Sequence, residues 1–201
     1  MLRITTAIFL LTPAFASAQC LTSADLDTGI TIEFGNGNLS HVSRTENGTI
    51  MDAYDNQDSY YKEIILFETI DGVIELSRVS HEKDNWKPLS EATMTYDFNV
   101  EGLAPYAPGT RGGGAATRVR PDRRDSVKSV GWSAYESEPL MLGDCSYDAV
   151  DVFITEFDIQ RGDLYNRKIT YLPALGFGVQ RANAYYSLPI ENETILSMSA
   201  D

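Results

Sequence analysis

The feature that most constrains the fold is the recurrence of short alternating segments between glycine and asparagine turns. Residues 29–34 alternate apolar and polar side chains and run into Gly35-Asn36-Gly37-Asn38. Asn47-Gly48, Asp71-Gly72 and Arg161-Gly162-Asp163 are further turn signals, and Asn-Gly favours the positive φ angles of a tight hairpin. The pattern predicts an all-β fold, an antiparallel meander of about eight to ten strands that forms a half-barrel or a sandwich.

The clearest alternation lies in residues 93–100, where Met94, Tyr96, Phe98 and Val100 occupy every second position. Successive side chains of a strand point to opposite faces of the sheet, so these four share one face. The segment is therefore predicted to be a strand with that face in the core.

Residues 104–125 differ in composition from the rest of the chain. They contain Pro105, Pro108, Pro121 and the run Gly112-Gly113-Gly114, which break regular structure. We therefore predict one long, flexible loop rich in glycine, proline and arginine. Its bases, with one lysine just beyond it, are Arg111, Arg118, Arg120, Arg123, Arg124 and Lys128. Such a loop could close over a lipid headgroup, a phosphate or an acidic polymer, or it could be a solvated linker.

The first 18 residues have the composition of a secretory signal. A short start containing Arg3 precedes a mostly apolar run over residues 4–15, and Ala16-Ser17-Ala18 matches the A-x-A cleavage pattern. We expect residues 1–18 to be cleaved after Ala18, leaving residues 19–201 as a single β domain that is periplasmic or secreted. Later residues contain no run apolar enough to form a transmembrane span.

Only two cysteines are present, Cys20 and Cys145. In an oxidising compartment two lone cysteines usually pair, so a disulfide between them is predicted. The alternative is lipidation of Cys20, but Gln19 stands before it, where a lipoprotein signal needs a small residue.

The charge of the mature chain is strongly negative. Removing Arg3 leaves 15 basic against 29 acidic residues, a net charge of −14. A surface of this charge repels nucleic acid and, taken as a whole, anionic lipid. We expect no nucleic-acid partner.

No catalytic or cofactor motif is present. Neither histidine, His41 or His81, belongs to a zinc-protease pattern, and no G-x-S-x-G nucleophile motif occurs. Asp52, Asp55 and Asp58 could offer oxygen ligands to Ca²⁺, but they lack the glycine and distal glutamate of an EF-hand loop. We expect no cofactor and no enzymatic activity.

Aromatic residues are numerous, with 11 tyrosines, eight phenylalanines and two tryptophans. Rings exposed on a sheet can stack on sugars or line a cavity for a lipid-like ligand, although aromatics are also simply favoured in strands. The candidate ligand-binding or partner-binding rings are Tyr60, Trp86, Trp132, Tyr171 and Tyr185.

Two patches carry a family resemblance, Gly143-Asp144-Cys145-Ser146-Tyr147 and Tyr171-Leu172-Pro173-Ala174-Leu175-Gly176. Together they resemble uncharacterised periplasmic proteins of Gram-negative bacteria and the curved-sheet lipoprotein carriers of the LolA/LolB type. The resemblance implies an incomplete antiparallel barrel with an apolar concave face that binds lipid or lipoprotein.

These observations favour a non-catalytic exported protein that binds an apolar or amphipathic ligand or a protein partner in the envelope. One alternative is a structural or assembly protein of the envelope with no small ligand. The third is a carbohydrate-active enzyme or carbohydrate-binding module. The sequence does not indicate an oligomeric state.

Overall fold

The computed structural model describes residues 20–57, 62–101, 103, 106–185 and 192–201. The predicted signal peptide, residues 1–18, lies outside the described residues. Within those ranges no helix is long and apolar enough to cross a membrane. The one helix described is a five-residue 3₁₀ turn, Ser23–Asp27.

The described residues form 14 strands. They are β1 Ile30–Phe34, β2 Leu39–Arg44, β3 Ile50–Asn56, β4 Glu63–Ile70, β5 Ile74–Glu82, β6 Pro88–Tyr96, β7 Arg111–Arg120, β8 Arg123–Glu136, β9 Leu140–Leu142, β10 Cys145–Tyr147, β11 Val150–Asp158, β12 Asp163–Leu172, β13 Phe177–Tyr185 and β14 Ile195–Ala200. The predicted all-β fold is confirmed, with more strands than the expected eight to ten.

Twelve of these strands form one antiparallel sheet, and β9 and β10 form a separate hairpin. The order across the sheet is β13-β12-β11-β8-β7-β6-β5-β4-β3-β2-β1-β14, so β13 and β14 are its outermost strands and the sheet is not closed into a barrel. Most neighbours are consecutive in sequence, as in the predicted meander.

The sheet is curved, so that β13 packs against the turn between β4 and β5. The Gly178 amide donates a hydrogen bond of 2.8 Å to the Asp71 carbonyl. Gly72, in the same turn, has a φ of +69°, and a Cβ atom there would lie 2.4 Å from the Gly178 carbonyl oxygen. Only glycine meets both requirements, and this close approach brings the two halves of the sheet around one interior.

One end of the curved sheet is covered by the residues that directly precede β1. Cys20 and Cys145 form a disulfide with a Cα–Cα distance of 5.5 Å, as predicted. Beside it, the Leu21 amide donates to the Tyr147 hydroxyl at 2.9 Å, and Leu26 of the 3₁₀ helix is buried in the core. We call this the capped end. The bridge uses the sulfur that lipidation of Cys20 would need, which excludes the lipidation alternative.

The apolar interior lies toward the capped end and the middle of the sheet. Tyr106, from the connection between β6 and β7, makes edge-on ring contacts with Trp132 at 5.5 Å and Tyr171 at 5.1 Å. All three side chains are buried. Trp132 and Tyr171 therefore lie in the core, and not on an exposed face as the sequence suggested.

The predicted loop over residues 104–125 is wrong for most of its length. Residues 111–120 form β7, and residues 123–125 begin β8, the longest strand of the sheet. Only a two-residue turn separates the two strands. The arginines of this segment are therefore held at fixed positions on paired strands, which decides where the candidate site lies.

Candidate functional site

A buried glutamate organises the interior at the end of the sheet opposite the capped end. Along β11, Val152, Ile154 and Glu156 alternate inward, and the first two belong to the apolar core. Glu156 continues that face and is only 2% exposed. A carboxylate so deeply buried requires compensating charge.

Three bases provide that charge to Glu156. Lys128 Nζ lies 2.7 Å from Glu156 Oε2, and Arg118 Nη2 lies 3.3 Å from the same oxygen. Arg167 Nη2 lies 3.1 Å from Glu156 Oε1. Each base comes from a different strand, β8, β7 and β12, so Glu156 ties together the inner face of the sheet.

Glu75 on β5 is the second acid of this cluster. Its carboxylate oxygens lie 3.5 Å from Arg118 Nη2 and 3.6 Å from Arg167 Nη1. Arg78, further along β5, approaches Glu75 at 3.9 Å. We call Glu75, Glu156, Arg118, Lys128 and Arg167 the buried charge cluster; it carries three positive and two negative charges.

The pKa of Glu156 reflects this arrangement. Burial alone would raise it, but Arg167, Lys128 and Arg118 together lower the pKa to about 2. Burial lowers the pKa of Lys128 from its ordinary value, and the attraction of Glu156 opposes this shift. Glu156 is therefore an anion at neutral pH, and two bases of the cluster, Arg118 and Lys128, also line the cavity next to it.

That cavity has a volume of about 270 Å³ and lies where the β7–β8 and β11–β12 hairpins turn. We call it the arginine cavity and this end of the sheet the hairpin end. Six bases and four acids are among its lining residues. The bases are Arg78, Arg118, Arg120, Arg123, Lys128 and Arg161, and the acids are Glu91, Asp122, Asp158 and Asp163.

Arg120 lies among four other arginines that line the cavity. Burial lowers its pKa, and the charges of four other arginines lower it further. These are Arg118, Arg161, Arg123 and Arg78. Guanidinium groups gathered in this way repel one another, so an anion placed among them would relieve that repulsion.

Hydrogen bonds in the β11–β12 turn hold one side of the cavity in place. Asp158 Oδ1 accepts from the backbone amides of Gln160 at 3.1 Å and Arg161 at 3.0 Å. Gln160 Oε1 in turn accepts from the Val127 amide of β8 at 2.9 Å. The Asp158 carboxylate therefore stabilises the β11–β12 turn, which is a role beyond neutralising the charge of an arginine.

The structure separates the arginines that the sequence grouped together. Arg118, Arg120 and Arg123 line the arginine cavity. Arg111 is exposed at the start of β7, far along the strand from the cavity, and exposed Arg124 is not one of its lining residues. Three of the five predicted arginines thus come together, joined by Arg78 and Arg161, which sequence reasoning missed.

The remaining predicted aromatic residues do not form one site. Trp86, 52% exposed in the β5–β6 turn, stacks on His81 with ring centroids 4.5 Å apart. Tyr60 lies outside the described residues. Tyr185 ends β13, where its backbone pairs with Tyr165.

The proposed calcium ligands are also engaged elsewhere. Asp52 Oδ1 accepts from Ser40 Oγ at 2.5 Å, Asp55 pairs with Lys83, and Asp58 lies outside the described residues. In the part of the chain that the structure describes, no group of three or more His, Cys, Asp or Glu side chains is arranged to hold a metal ion.

The raised pKa of Asp52 predicts how the free energy of unfolding depends on pH. It lines a small interior cavity of about 40 Å³, and burial raises its pKa to about 6, although Ser40 and His41 favour the charged form. A raised pKa means that ionisation of Asp52 costs stability above pH 6 and costs nothing below pH 4. We expect Asp52→Asn to raise the free energy of unfolding at pH 8 by up to about 3 kcal/mol and to leave it unchanged at pH 4.

Denaturant unfolding at the two pH values would measure this effect. Asp55→Asn is the matched control on the same strand, because it removes the ion pair with Lys83 and should not stabilise the protein. If the Asp52→Asn variant is no more stable than the parent at pH 8, the pKa of Asp52 is not raised in the folded protein.

Comparison of the chain with protein-family models, with curated proteins and with solved structures finds no match.

Proposed function

We propose that this is an exported, non-catalytic binding protein whose half-barrel holds the anionic group of a small or amphipathic ligand in the arginine cavity. The observation that carries the proposal is the clustering of Arg78, Arg118, Arg123 and Arg161 around Arg120. The chain has a formal charge of −13, yet six of its bases line this one cavity.

The geometry favours an oxyanion with several acceptor oxygens. Arginine offers its N–H donors in a planar fork that matches a phosphate or carboxylate. Arg118 is held by Glu156 and Glu75, so its position is set before a ligand arrives. Arg123 pairs only with exposed Asp122, at 3.4 Å, so the position of Arg123 is less fixed than that of Arg118.

The volume of the cavity limits the ligand further. At about 270 Å³ it lies just below the range of roughly 300–1,000 Å³ found for drug-sized ligands. The interior cavity that Asp52 lines has a volume of only about 40 Å³. A polar headgroup fits the arginine cavity, whereas an acyl chain attached to it would remain outside the sheet.

A role in envelope assembly without a small ligand is the competing function. It would leave six bases with four acids among the residues that line the cavity, and we favour ligand binding because of that excess of positive charge.

The proposal is tested by calorimetric titration with glycerol 3-phosphate, a soluble phosphate ester, at pH 7 and low salt. We expect saturable binding to one site that weakens as salt is added, because the interaction is between charges. Arg120→Gln should weaken binding at least tenfold, equivalent to about 1.4 kcal/mol.

Arg111→Gln is the matched control, because Arg111 lies on the same strand but outside the cavity. It should bind as the parent does. Equal affinity of the parent and the Arg120→Gln variant for glycerol 3-phosphate would show that this ligand does not bind in the arginine cavity. A parent protein that takes up neither glycerol 3-phosphate nor citrate would overturn the function.

A further inference from the structure

The outer face of the sheet carries an open depression between β7 and β11, on the side opposite the arginine cavity. Its floor is β8, whose outward positions are occupied here by the small residues Gly131 and Ser133. The volume of this space is about 500 Å³, within the range of roughly 300–1,000 Å³ found for sites of small ligands. We call it the outer depression, lined by Arg111, Gly131, Ser133, Tyr135, Phe153 and Thr155.

The strand register explains why these side chains surround one space. β7, β8 and β11 pair so that Arg111 is opposite Ser133, and Ser133 is opposite Phe153. One row toward the hairpin end, Gly131 is opposite Thr155. Two strand spacings, about 10 Å, thus separate the Arg111 side from the Phe153 side, with only small side chains between them.

Two aromatic rings form one wall of the outer depression. Tyr135 is 55% exposed, and its ring meets the ring of Phe153 edge-on with centroids 5.6 Å apart. Lys168 Nζ lies 5.8 Å from the Phe153 centroid and 2.8 Å from Asp151 Oδ2. Phe153 is thus fixed by its neighbours, and Tyr135 presents the more open aromatic surface.

Polar groups beside the rings offer hydrogen bonds to a ligand. In the part of the chain that the structure describes, the side chains of Arg111, Ser133 and Tyr135 make no hydrogen bond or ion pair. The Thr155 hydroxyl donates to Asn166 Oδ1 at 2.9 Å, which leaves its oxygen as an acceptor. The outer depression therefore combines an aromatic wall with donors and acceptors around a small floor.

We propose that the outer depression binds a neutral sugar chain whose pyranose rings carry equatorial hydroxyls, a glucan or its N-acetylated analogue. The axial C–H groups of such a ring are slightly positive and pack on the negative face of an aromatic ring, here that of Tyr135. The equatorial hydroxyls then point sideways, toward the polar groups of Arg111, Ser133 and Thr155. This site goes beyond the proposed function and does not depend on it.

The charge of the outer depression favours a neutral ligand. Among the described residues that line it, Arg111 is the one with a charge. Lys168 and Asp151, next to Phe153, neutralise each other. The arginine cavity, in contrast, is lined by six bases and four acids. An anionic polymer would also be repelled by a chain whose formal charge is −13.

The position of the depression in the middle of the sheet argues against a protein as its occupant. β8 pairs with β7 on one side and with β11 on the other, so its backbone groups are already hydrogen-bonded. A peptide that extends a sheet needs a free edge. A second copy of the chain in a twofold contact would place one depression opposite another, and neither would be filled.

Filling the floor of the depression tests the proposal. A Cβ atom on Gly131 would meet only the Gly112 carbonyl oxygen, at 3.9 Å, and Gly131 has no positive φ. Gly131→Val should therefore fold, because valine is favoured in strands, and its side chain would occupy the space of the sugar. The measurement is calorimetric titration with cellotetraose, an unsubstituted glucan, and with chitotetraose, its N-acetylated analogue.

We expect the parent protein to bind at least one of these two sugars saturably, with an affinity that salt leaves unchanged because the ligand is neutral. Gly131→Val should weaken this binding at least tenfold. Tyr135→Ala should weaken it about tenfold, because it removes the exposed ring, whereas Tyr135→Phe should keep most of the affinity.

Ser129→Val is the matched control. Ser129 is the next outward residue of β8 and is not among the residues that line the depression. This variant should bind the sugar as the parent does, and melting curves would show that every variant is folded. If Gly131→Val binds as tightly as the parent, the sugar does not bind in the outer depression.

The choice between the two sugars identifies the source: binding of cellotetraose alone indicates an unsubstituted glucan, and binding of chitotetraose alone an N-acetylated one. A parent protein that binds neither sugar refutes the proposal. Light scattering that shows a dimer in the parent and a monomer in Gly131→Val would assign the depression to self-association and also refute it.

Titration with glycerol 3-phosphate separates this inference from the proposed function. Gly131→Val and Tyr135→Ala should keep the parent's affinity for that ligand, because the arginine cavity lies on the inner face. Binding of glycerol 3-phosphate without sugar would refute the outer site and leave the cavity function standing. Binding of sugar without glycerol 3-phosphate would do the reverse.

Discussion

The Glu156→Gln variant should unfold about 10 °C below the parent protein at pH 7. Glu156 is the shared partner of Arg118, Lys128 and Arg167. Its loss removes the ion pair of Lys128 and leaves Arg118 and Arg167 paired with Glu75 at 3.5 and 3.6 Å. Removing one partner of a buried ion pair costs about 3–5 kcal/mol, because the other charge stays buried without compensation. For a domain of this size, 1 kcal/mol corresponds to roughly 2–4 °C in melting temperature.

The same substitution should change the response to acid. The pKa of Glu156 is lowered to about 2 in the folded protein from an ordinary value of 4.5. A lowered carboxyl pKa stabilises the fold above pH 4.5, and this stabilisation is lost as the pH falls toward 2. The gap in unfolding free energy between the parent and Glu156→Gln should therefore narrow between pH 5 and pH 3.

Two comparisons make the result specific. Glu46→Gln, at an exposed position in the β2–β3 turn, should leave the melting temperature unchanged. Adding Lys128→Met to Glu156→Gln should restore part of the lost stability, because it removes one uncompensated base. If Glu156→Gln melts within 2 °C of the parent, the buried charge cluster does not stabilise the fold.

Local sequence signals were enough to predict the strands and several turns. Asn47-Gly48, Asp71-Gly72 and Arg161-Gly162 each connect two neighbouring strands in the structure. Met94, at an inward position of the clearest alternation, is buried. These features depend on side-chain periodicity and on the φ angles of single residues, and local sequence patterns indicate both.

The strand β7 could not be predicted in this way, because its glycines are required by distant residues. A Cβ atom on Gly112 would lie 2.9 Å from Trp132 Nε1, and one on Gly114 would lie 2.5 Å from Phe98 Cδ1. The glycine run thus makes room for large neighbouring rings. From the sequence alone this run predicts a flexible loop, since glycine in a strand and glycine in a loop look alike locally.

The buried charge cluster also depends on long-range pairing. One signal was available, because the alternation Val152, Ile154, Glu156 puts a carboxylate on the apolar face of its strand. The identity of its partners was not available, since Arg118, Lys128 and Arg167 are 38, 28 and 11 residues away. Arg78 and Arg161 were missed for the same reason, as they lie outside the arginine-rich segment.

Loss of the disulfide should lower the melting temperature by about 10 °C. The bridge joins residues 125 apart and links Cys20, ahead of the 3₁₀ helix, to β10 at the capped end. By the loop-entropy model, closing a loop of this length stabilises the fold by about 4–5 kcal/mol. Cys145→Ser and chemical reduction of the parent should each show this loss in a thermal melt followed by circular dichroism.

The comparison between the two cysteines separates the cross-link from core packing. Cys20 is exposed and Cys145 is buried in the apolar core, so Cys20→Ser removes the bridge alone, whereas Cys145→Ser also places a hydroxyl in the core. We therefore expect Cys145→Ser to melt below Cys20→Ser by a few degrees, with neither variant responding to reductant. A parent protein that melts at the same temperature with and without reductant would show that the packing of Leu26 and the Leu21–Tyr147 hydrogen bond hold the capped end without the bridge.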